Sequence, residues 1–309
     1  MGTNKESKKI EGMYRLSRWK SLIALGISLS IMIIFVIAVI REVAALQNDP
    51  YSVFRYFTTV SNVLACYGAI LTIPFAVEGM RKQTYSVPDH VVRVLFCGTV
   101  CVTVTLLLAV FALWPINGIN TFRGYNFICH IVCPVLVILL FSLVSGEKAI
   151  RYTDCINGVI PFFLYEFLYI VMVILIGKEN GGWEDMYGIV SLLPIRVSVP
   201  LSVFVVFGIT LVFRRIHNEL TRKRNKKYVQ KIIQRYQPAD GADLRFMLFE
   251  MGELMGTYNG QNELVVPIEL LGILAEHYPE MPLDKMAQVY VQGAVKRIMS
   301  ERSMSHAKE

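Results

Sequence analysis

The sequence predicts an all-α, polytopic membrane protein with six transmembrane helices and a small C-terminal cytosolic helical region. The chain is 54% hydrophobic and 18% charged, with a mean hydropathy of +0.48, whereas soluble domains average about one-quarter charged residues. Six runs carry almost no charge, and each is long enough, or nearly so, to cross a bilayer as a helix. They lack the alternation of barrel strands, and only helices and closed barrels satisfy their backbone groups in lipid. The runs are Leu22–Ile40, Tyr56–Val77, Val94–Phe122, Gly124–Gly146, Cys155–Gly177 and Val197–Phe213.

Composition divides the chain into four regions. A cytosolic N-terminal segment covers residues 1–20, and a six-helix transmembrane domain covers residues 21–213. A juxtamembrane basic segment, residues 214–236, comes next, and residues 237–309 form a cytosolic helical appendage. This order predicts one membrane domain with a soluble unit attached to its C-terminal end.

The distribution of Lys and Arg predicts the orientation in the membrane. Six basic residues precede the first apolar run, and the basic segment follows the sixth. Because segments rich in Lys and Arg stay on the cytoplasmic side, we expect both termini in the cytoplasm. The first, third and fifth loops, and with them Trp183, are expected outside. The expected location is that of an integral protein of the plasma membrane.

The basic segment itself predicts a lipid partner. Nine Lys and Arg residues lie between Arg214 and Arg235, against a single acid, Glu219. A basic cluster that directly follows a membrane span is typical of binding to anionic lipid of the inner leaflet. Nucleic acid is not expected, because no RNA- or DNA-binding motif accompanies the cluster. Membrane lipids, with anionic lipid at Arg214–Arg235, are therefore the expected partners.

The sequence of the appendage predicts a set of short amphipathic helices. The residues Pro238–Gly241 form a turn signal, and apolar residues then recur at helical spacing. No chemical motif is present, so interaction or regulation is the default interpretation, with a protein as the partner. The predicted helices are Ala242–Tyr258, Leu264–His277 and Leu283–Met299.

No cofactor or metal is expected. The chain lacks the Walker A loop, G-x-G-x-x-G, H-E-x-x-H and G-x-S-x-G. Cys129, His130 and Cys133 together offer three metal ligands, but neighbouring side chains point to different helix faces, which leaves only His130 and Cys133 on one face. The favoured interpretation is that these three side chains pack between helices and bind no metal. All six cysteines lie in or beside apolar runs, so no disulfide framework is predicted.

Polar residues cluster where the second and fourth runs begin. Thr58 and Asn62 are four positions apart and share a helix face, with Ser61 beside them. Asn126 and His130 are spaced in the same way. In the expected topology Thr58 and His130 lie at similar depth below the outer surface, near two helix N-termini whose dipoles favour a developing oxyanion and a neutral imidazole.

The motifs around these residues resemble a known family. Arg55-Tyr56-Phe57-Thr58, followed by Ser61-Asn62 and by His130 with Pro134, resembles the androgen-induced-gene family of six-span membrane proteins and its bacterial relatives. The resemblance covers about residues 20–215. Studied members are threonine hydrolases that cleave fatty acid esters of hydroxy fatty acids with one Thr and one His.

By position, the resemblance implies that Thr58 is the nucleophile and His130 its base. The adjacent Thr59 is a rival nucleophile, and Thr58 is preferred because it follows the basic–aromatic–aromatic triplet as the family Thr does. In the fifth loop the chain keeps the family's tryptophan, as Trp183, but lacks the proline that follows it in the family. The implied function is an integral membrane hydrolase that cleaves lipid esters near the outer membrane face.

The supporting residues are assigned from general chemistry. A threonine hydroxyl becomes a good nucleophile only when a base takes its proton, and the same base can later protonate the leaving alcohol. Asn62 and the helix N-terminal amides are candidate donors to the oxyanion. Asn62, Ser61, Asn126, Glu166 and Trp183 are assigned a supporting or substrate-binding role.

Each of these residues also has a structural interpretation. Thr58 can be a helix cap, His130 a packed and hydrogen-bonded side chain, and Asn62 a bridge between helices. Glu166 lies near the middle of the fifth run, where a carboxyl group marks a site or a relay, or is neutral and structural. The alternative function is a non-enzymatic six-span transporter or lipid-binding protein, in which Glu166, His130 and Asn62 line a path.

Overall fold

The computed structural model describes residues 18–46, 49–82, 87–144, 149–187, 194–236, 238, 240–255, 257–258, 264–265 and 268–306. The chain forms two compact units, one from Ser17 to Glu219 and a second that includes Leu220–Glu309. In the first unit, the membrane unit, six helices are long and apolar enough to cross a membrane. The predicted class, an all-α polytopic membrane protein, is confirmed. Residues 1–17 of the expected N-terminal segment lie outside the described residues.

Six main helices build the membrane unit. Their lengths follow from long apolar stretches that no charge interrupts, and the sixth helix continues past its apolar part into the basic segment. The helices are α1 (Arg18–Ala45), α2 (Phe57–Lys82), α3 (Asp89–Leu108), α4 (Cys133–Leu143), α5 (Tyr152–Ile170) and α6 (Ile195–Tyr236).

Three of these helices carry a π-helical turn at the same end of the bundle as the start of α2. The turn Ala109–Leu113 extends α3, Ile128–Val132 leads into α4, and Val171–Ile176 extends α5. The third predicted run is shorter as a helix than expected, because Gly118 adopts a positive φ of 56° and ends it. A 3₁₀ turn, Gly118–Phe122, then leads into the fourth span.

Small and hydroxylated residues let the first helices approach closely. A Cβ atom on Gly98 of α3 would lie 2.8 Å from the Cα atom of Ala65 in α2, so only glycine fits there. Between α1 and α2, the buried hydroxyls of Ser28 and Thr72 are 2.7 Å apart. Close backbone contact and interhelical hydrogen bonds are the usual means by which membrane helices associate. The start of α2 is thereby held in place at the site described below.

The second unit is a small helical bundle with its own core. Its helices are α7 (Gly241–Met255), α8 (Ile268–His277) and α9 (Leu283–His306), and strands β1 (Thr257–Tyr258) and β2 (Leu264–Val265) pair antiparallel. The side chain of Asp240 caps α7 by accepting from the amides of Ala242 and Asp243. The buried core residues are Val229, Leu244, Met247, Leu248, Met251, Leu270, Leu271, Ile273, Leu274, Met281, Met286 and Tyr290.

The predicted helices of the appendage need two corrections. The first ends at Met255 rather than Tyr258, and the second begins at Ile268 rather than Leu264, because Thr257–Tyr258 and Leu264–Val265 form the two short strands. Pro267 immediately precedes the second helix, and a residue before proline disfavours helical backbone. The third helix begins at Leu283 as expected and extends to His306. The predicted break at Asn259 and Gly260 lies outside the described residues.

Candidate functional site

The candidate site begins at the first turn of α2, which carries Thr58. A 3₁₀ turn, Pro50–Arg55, precedes the helix, and Tyr56 adopts an extended backbone before the helix starts at Phe57. The turn is held from another part of the chain, since the hydroxyl of Tyr165 donates to the carbonyl of Arg55 at 2.6 Å. Thr58 is buried. Its side chain thus occupies a defined place at the N-terminal end of α2.

The hydroxyl of Thr58 faces the imidazole of His130. Oγ1 of Thr58 lies 3.2 Å from Nε2 of His130, and Nδ1 of His130 lies 3.2 Å from the carbonyl oxygen of Thr121. A carbonyl oxygen only accepts, so Nδ1 carries the ring proton and Nε2 has its lone pair free. The Thr58 hydroxyl therefore donates to Nε2. This is the geometry in which an imidazole can take the proton of a hydroxyl nucleophile.

The π-helical turn explains how His130 reaches this position. Within Ile128–Val132 the backbone is widened, and such turns are frequent at functional sites. Pro134 is the second residue after this turn and has no N–H to donate to it. His130 and Cys129 are buried, whereas Asn126 is exposed. The predicted shared face of Asn126 and His130 is thus not maintained, because the π turn begins between them and changes the angular register.

Asn62 holds the two segments together rather than pointing at the Thr58 hydroxyl. Its side-chain nitrogen donates to the carbonyl of Thr58 at 2.7 Å and to the carbonyl of Cys129 at 3.0 Å. Both of its N–H groups are therefore used, and neither is left to stabilise an oxyanion. Its Oδ1 atom is buried with no hydrogen-bond partner among the described residues. The predicted bridging interpretation of Asn62 matches this geometry better than the oxyanion interpretation.

The two remaining hydroxyls near Thr58 have other partners. Ser61 donates to the carbonyl of Thr58 at 3.0 Å and lies 2.8 Å from the hydroxyl of Thr105. The hydroxyl of Thr59, the rival nucleophile, lies 2.7 Å from that of Tyr125. Thr59 thus meets a phenol, whereas Thr58 meets an imidazole. Only an imidazole can act as a base at neutral pH, because a phenol has an ordinary pKa of about 10.

Tyr187, from the loop that follows the fifth span, completes the arrangement. Its hydroxyl oxygen accepts from the backbone N–H of Phe57 at 2.8 Å and also interacts with Thr58 and Tyr165. Burial raises the pKa of Tyr187, so the phenol keeps its proton at neutral pH. Its hydroxyl thus lies beside Thr58, and a protonated phenol can donate a hydrogen bond there. Sequence reasoning missed this role, since nothing local distinguishes Tyr187 from the other tyrosines.

The other predicted site residues lie farther from the hydroxyl–imidazole pair. Trp183 packs against Tyr169, with ring centroids 6.4 Å apart, and the backbone N–H of Trp183 donates to the carbonyl of Met172 at 3.0 Å. Glu166 is buried on α5, and its Oε1 atom lies 2.5 Å from the hydroxyl of Ser202 on α6. Trp183 therefore orders the loop that carries Tyr187, and Glu166 belongs to a separate cluster.

An apolar cavity adjoins the start of α2. Its volume is about 300 Å³, and its wall includes Phe57, Tyr187 and Glu166. Thr58, Asn62 and His130 are not among the described residues that line it. The lining residues are Phe57, Val104, Leu108, Ala112, Leu113, Phe162, Tyr165, Glu166, Tyr169, Tyr187, Ser198, Leu201, Ser202, Val205 and Val206.

The cysteines beside the site are free thiols. All six cysteines of the chain are unpaired, and Cys129 and Cys133 are buried between helices. Among the residues that the structure describes, no group of three His, Cys, Asp or Glu side chains is placed to hold a metal ion.

Comparison with known proteins yields no match to a family model, to a curated protein or to a solved structure. The interpretation of the site therefore rests on its own geometry and on the short motifs that carry it.

Proposed function

We propose that the membrane unit hydrolyses esters of lipids, with Thr58 as the nucleophile and His130 as its base. One observation carries the proposal: the Thr58 hydroxyl donates to Nε2 of His130, and the carbonyl of Thr121 holds the imidazole in the tautomer that can accept this proton. A hydroxyl nucleophile needs a base in this position to take its proton. The resemblance of the Thr58 and His130 motifs to the androgen-induced-gene family supports the same assignment.

In the proposed reaction, Nε2 of His130 takes the hydroxyl proton as Oγ1 of Thr58 attacks the ester carbonyl. The carbonyl oxygen becomes an oxyanion, to which the O–H of Tyr187 donates. His130 then gives its proton to the alkoxide that leaves, and an acyl-threonine remains. Water, activated by the same imidazole, releases the acid and restores Thr58.

The surroundings suit a lipid ester. The cavity beside Phe57 is lined mainly by apolar side chains, and a hydrocarbon chain gains about 0.8 kcal/mol for each CH₂ group that it buries. In an apolar site, the hydrogen bond from Tyr187 to an oxyanion also contributes more than it would in water. The proposed substrate is therefore an ester with at least one long aliphatic chain.

The test is hydrolysis by the purified full-length protein of a panel of acyl esters that differ in chain length. Thr58→Ala and His130→Ala should each abolish turnover, and the double variant should be no worse than either, because groups that act as one unit fail together. A fluorophosphonate probe should label Thr58, as peptide mass spectrometry can establish. The control is Ser142→Ala, which removes an exposed hydroxyl bonded only to its own helix at the Ile138 carbonyl. Full activity of a folded Thr58→Ala protein would disprove the proposal.

The alternative, a transporter, predicts a different outcome of the same test. Its path would join Glu166, His130 and Asn62, but the cavity is lined by Glu166 without the other two among its described lining residues. A protein that hydrolyses no ester in the panel, yet exchanges a solute across vesicles in a Glu166-dependent manner, would support the alternative.

A further inference from the structure

A polar cluster in the wall of the cavity is not used by the proposed chemistry. It consists of Glu166 on α5 and of Ser198 and Ser202 on α6, and all three line the cavity. Glu166 is 7% exposed and Ser198 is 8% exposed, so both are more than nine-tenths buried. Oε2 of Glu166 and Oγ of Ser198 have no hydrogen-bond partner among the described residues. Buried polar atoms without a partner are rare in native proteins and call for an explanation.

Ser202 connects the two residues that carry these atoms. Ser198 and Ser202 are four positions apart on α6, so they share one helix face. The hydroxyl of Ser202 contacts Oε1 of Glu166 at 2.5 Å and the carbonyl of Val199 at 2.8 Å. Ser198 therefore lies one helical turn from the carboxyl group. Both unpartnered atoms belong to residues that line the cavity.

The rest of the wall is apolar and rich in aromatic side chains. Five aromatic side chains line the same cavity: Phe57, Phe162, Tyr165, Tyr169 and Tyr187. Aromatic faces attract cations, most strongly where water is excluded. Among the described lining residues none is Lys, Arg or His. No described basic side chain forms an ion pair with Glu166, so the protein itself supplies no counter-charge there.

We propose that this cavity binds a cationic amphiphile, whose ammonium group pairs with Glu166 while its aliphatic chain lies against the apolar wall. A carboxylate is unfavourable at membrane depth unless a positive group pairs with it. An ammonium ligand supplies that charge and donates to both Oε2 of Glu166 and Oγ of Ser198. This inference concerns binding alone, and it holds whether or not Thr58 cleaves esters.

The experiment uses the full-length protein in nanodiscs of neutral lipid and a photoreactive dodecylamine that carries a diazirine in its chain. Peptide mass spectrometry should map the label to cavity residues such as Leu201 and Val205. Unlabelled dodecylamine should compete at least about tenfold better than dodecanol, a difference of about 1.4 kcal/mol. Glu166→Gln keeps the shape of the side chain and removes its charge, so it should weaken labelling by a similar factor.

The controls separate the outcomes. Ser198→Ala should weaken labelling, whereas Ser142→Ala, which lies away from the cavity, should not. Equal competition by dodecanol would overturn the proposal, because it would show that the cavity does not select positive charge. Undiminished labelling of a folded Glu166→Gln protein, or label spread evenly over all the spans, would also overturn it. If Glu166→Gln fails to fold, the comparison of amine with alcohol on the wild-type protein still decides.

Discussion

Thr58 and Thr59 are adjacent in the chain, yet their hydroxyl groups make hydrogen bonds to different partners. Thr58 pairs with Nε2 of His130 at 3.2 Å, and Thr59 pairs with the phenol of Tyr125 at 2.7 Å. Successive residues of a helix point about 100° apart, so only one of the two can face the imidazole. The choice between the two candidate nucleophiles is therefore a matter of helix rotation.

The first prediction concerns this choice. Thr58→Ala should lose essentially all ester hydrolysis, whereas Thr59→Ala should keep most of it, because its hydroxyl has no base beside it. Thr58→Ser should retain part of the activity, since the nucleophilic oxygen remains. Initial rates and melting temperatures measured on the same three proteins check this. If Thr58 is only a helix cap, its removal should cost about 1 kcal/mol of stability and leave turnover intact.

The second prediction concerns Tyr187. Tyr187→Phe removes the proposed oxyanion donor but keeps the ring, so kcat should fall about 10²-fold, the typical effect of losing one such donor. KM should change little, because the lost bond forms mainly in the transition state. Tyr67→Phe is the control, since Tyr67 is an exposed tyrosine of α2 that lies nine positions after Thr58. An unchanged kcat in Tyr187→Phe would remove Tyr187 from the proposed mechanism.

The third prediction concerns Asn62. Asn62→Ala should lower the free energy of unfolding by about 1–3 kcal/mol, because the carbonyls of Thr58 and Cys129 lose their buried donor. The variant should therefore melt at a lower temperature in detergent. Asn180 offers a matched control, since its side chain donates to the carbonyl of Ile176 at an exposed position. Asn180→Ala should change the melting temperature only slightly. An Asn62→Ala protein as stable as wild type would contradict the bridging role.

The fourth prediction concerns the second unit. A Cβ atom on Gly252 of α7 would lie 1.9 Å from the carbonyl oxygen of Tyr290 in α9, so the two helices must move apart to accept alanine. Gly252→Ala should destabilise this bundle by about 1–3 kcal/mol. Gly272→Ala, where nothing lies within 4 Å of the added Cβ, should be neutral or stabilising by about 1 kcal/mol, because alanine favours helix. Limited proteolysis of the full-length protein can follow both variants.

The fifth prediction concerns the basic segment. Arg214 is already engaged, because it donates to the carbonyl of Ile150 and stacks on Tyr152. Lys226 and Lys227 are exposed and are better placed to bind anionic lipid. Replacing both with Gln should reduce co-purified anionic phospholipid, with a loss of about 1 kcal/mol per charge. The same double change at Arg245 and Lys285 should have little effect. Lipid retention that is independent of these charges and of salt would count against the lipid role.

Local physics made much of the fold predictable. The number of spans and their approximate positions follow from the length and hydropathy of each run, and six suitable helices are observed. Helix ends were less predictable where they depend on backbone detail. The stop at Gly118 needs a positive φ, and the strands β1 and β2 need a partner several residues away.

The candidate site was predictable only in part. The spacing of Thr58, Ser61 and Asn62 drew attention to the start of α2, and His130 was singled out by its motif. The hydrogen-bond partners of Asn62 and Tyr187 were not predictable. Whether the Asn62 amide faces a carbonyl or a substrate depends on how α2 packs against the fourth span. Tyr187 bonds to Phe57 across 130 positions of the chain, and no local pattern encodes such a contact.

By itself the sequence determined that this chain is an all-α membrane protein with a helical C-terminal unit, because hydropathy and helix length are properties of each segment alone. Only the tertiary structure decided which hydroxyl meets the imidazole, which tautomer the imidazole adopts and which tyrosine stands beside Thr58. Those contacts join segments such as the ones that carry Thr58 and His130, 72 positions apart. They depend on the rotation and packing of whole helices. A π turn adds one residue to a helical turn, and this is enough to change which side chain faces a given neighbour.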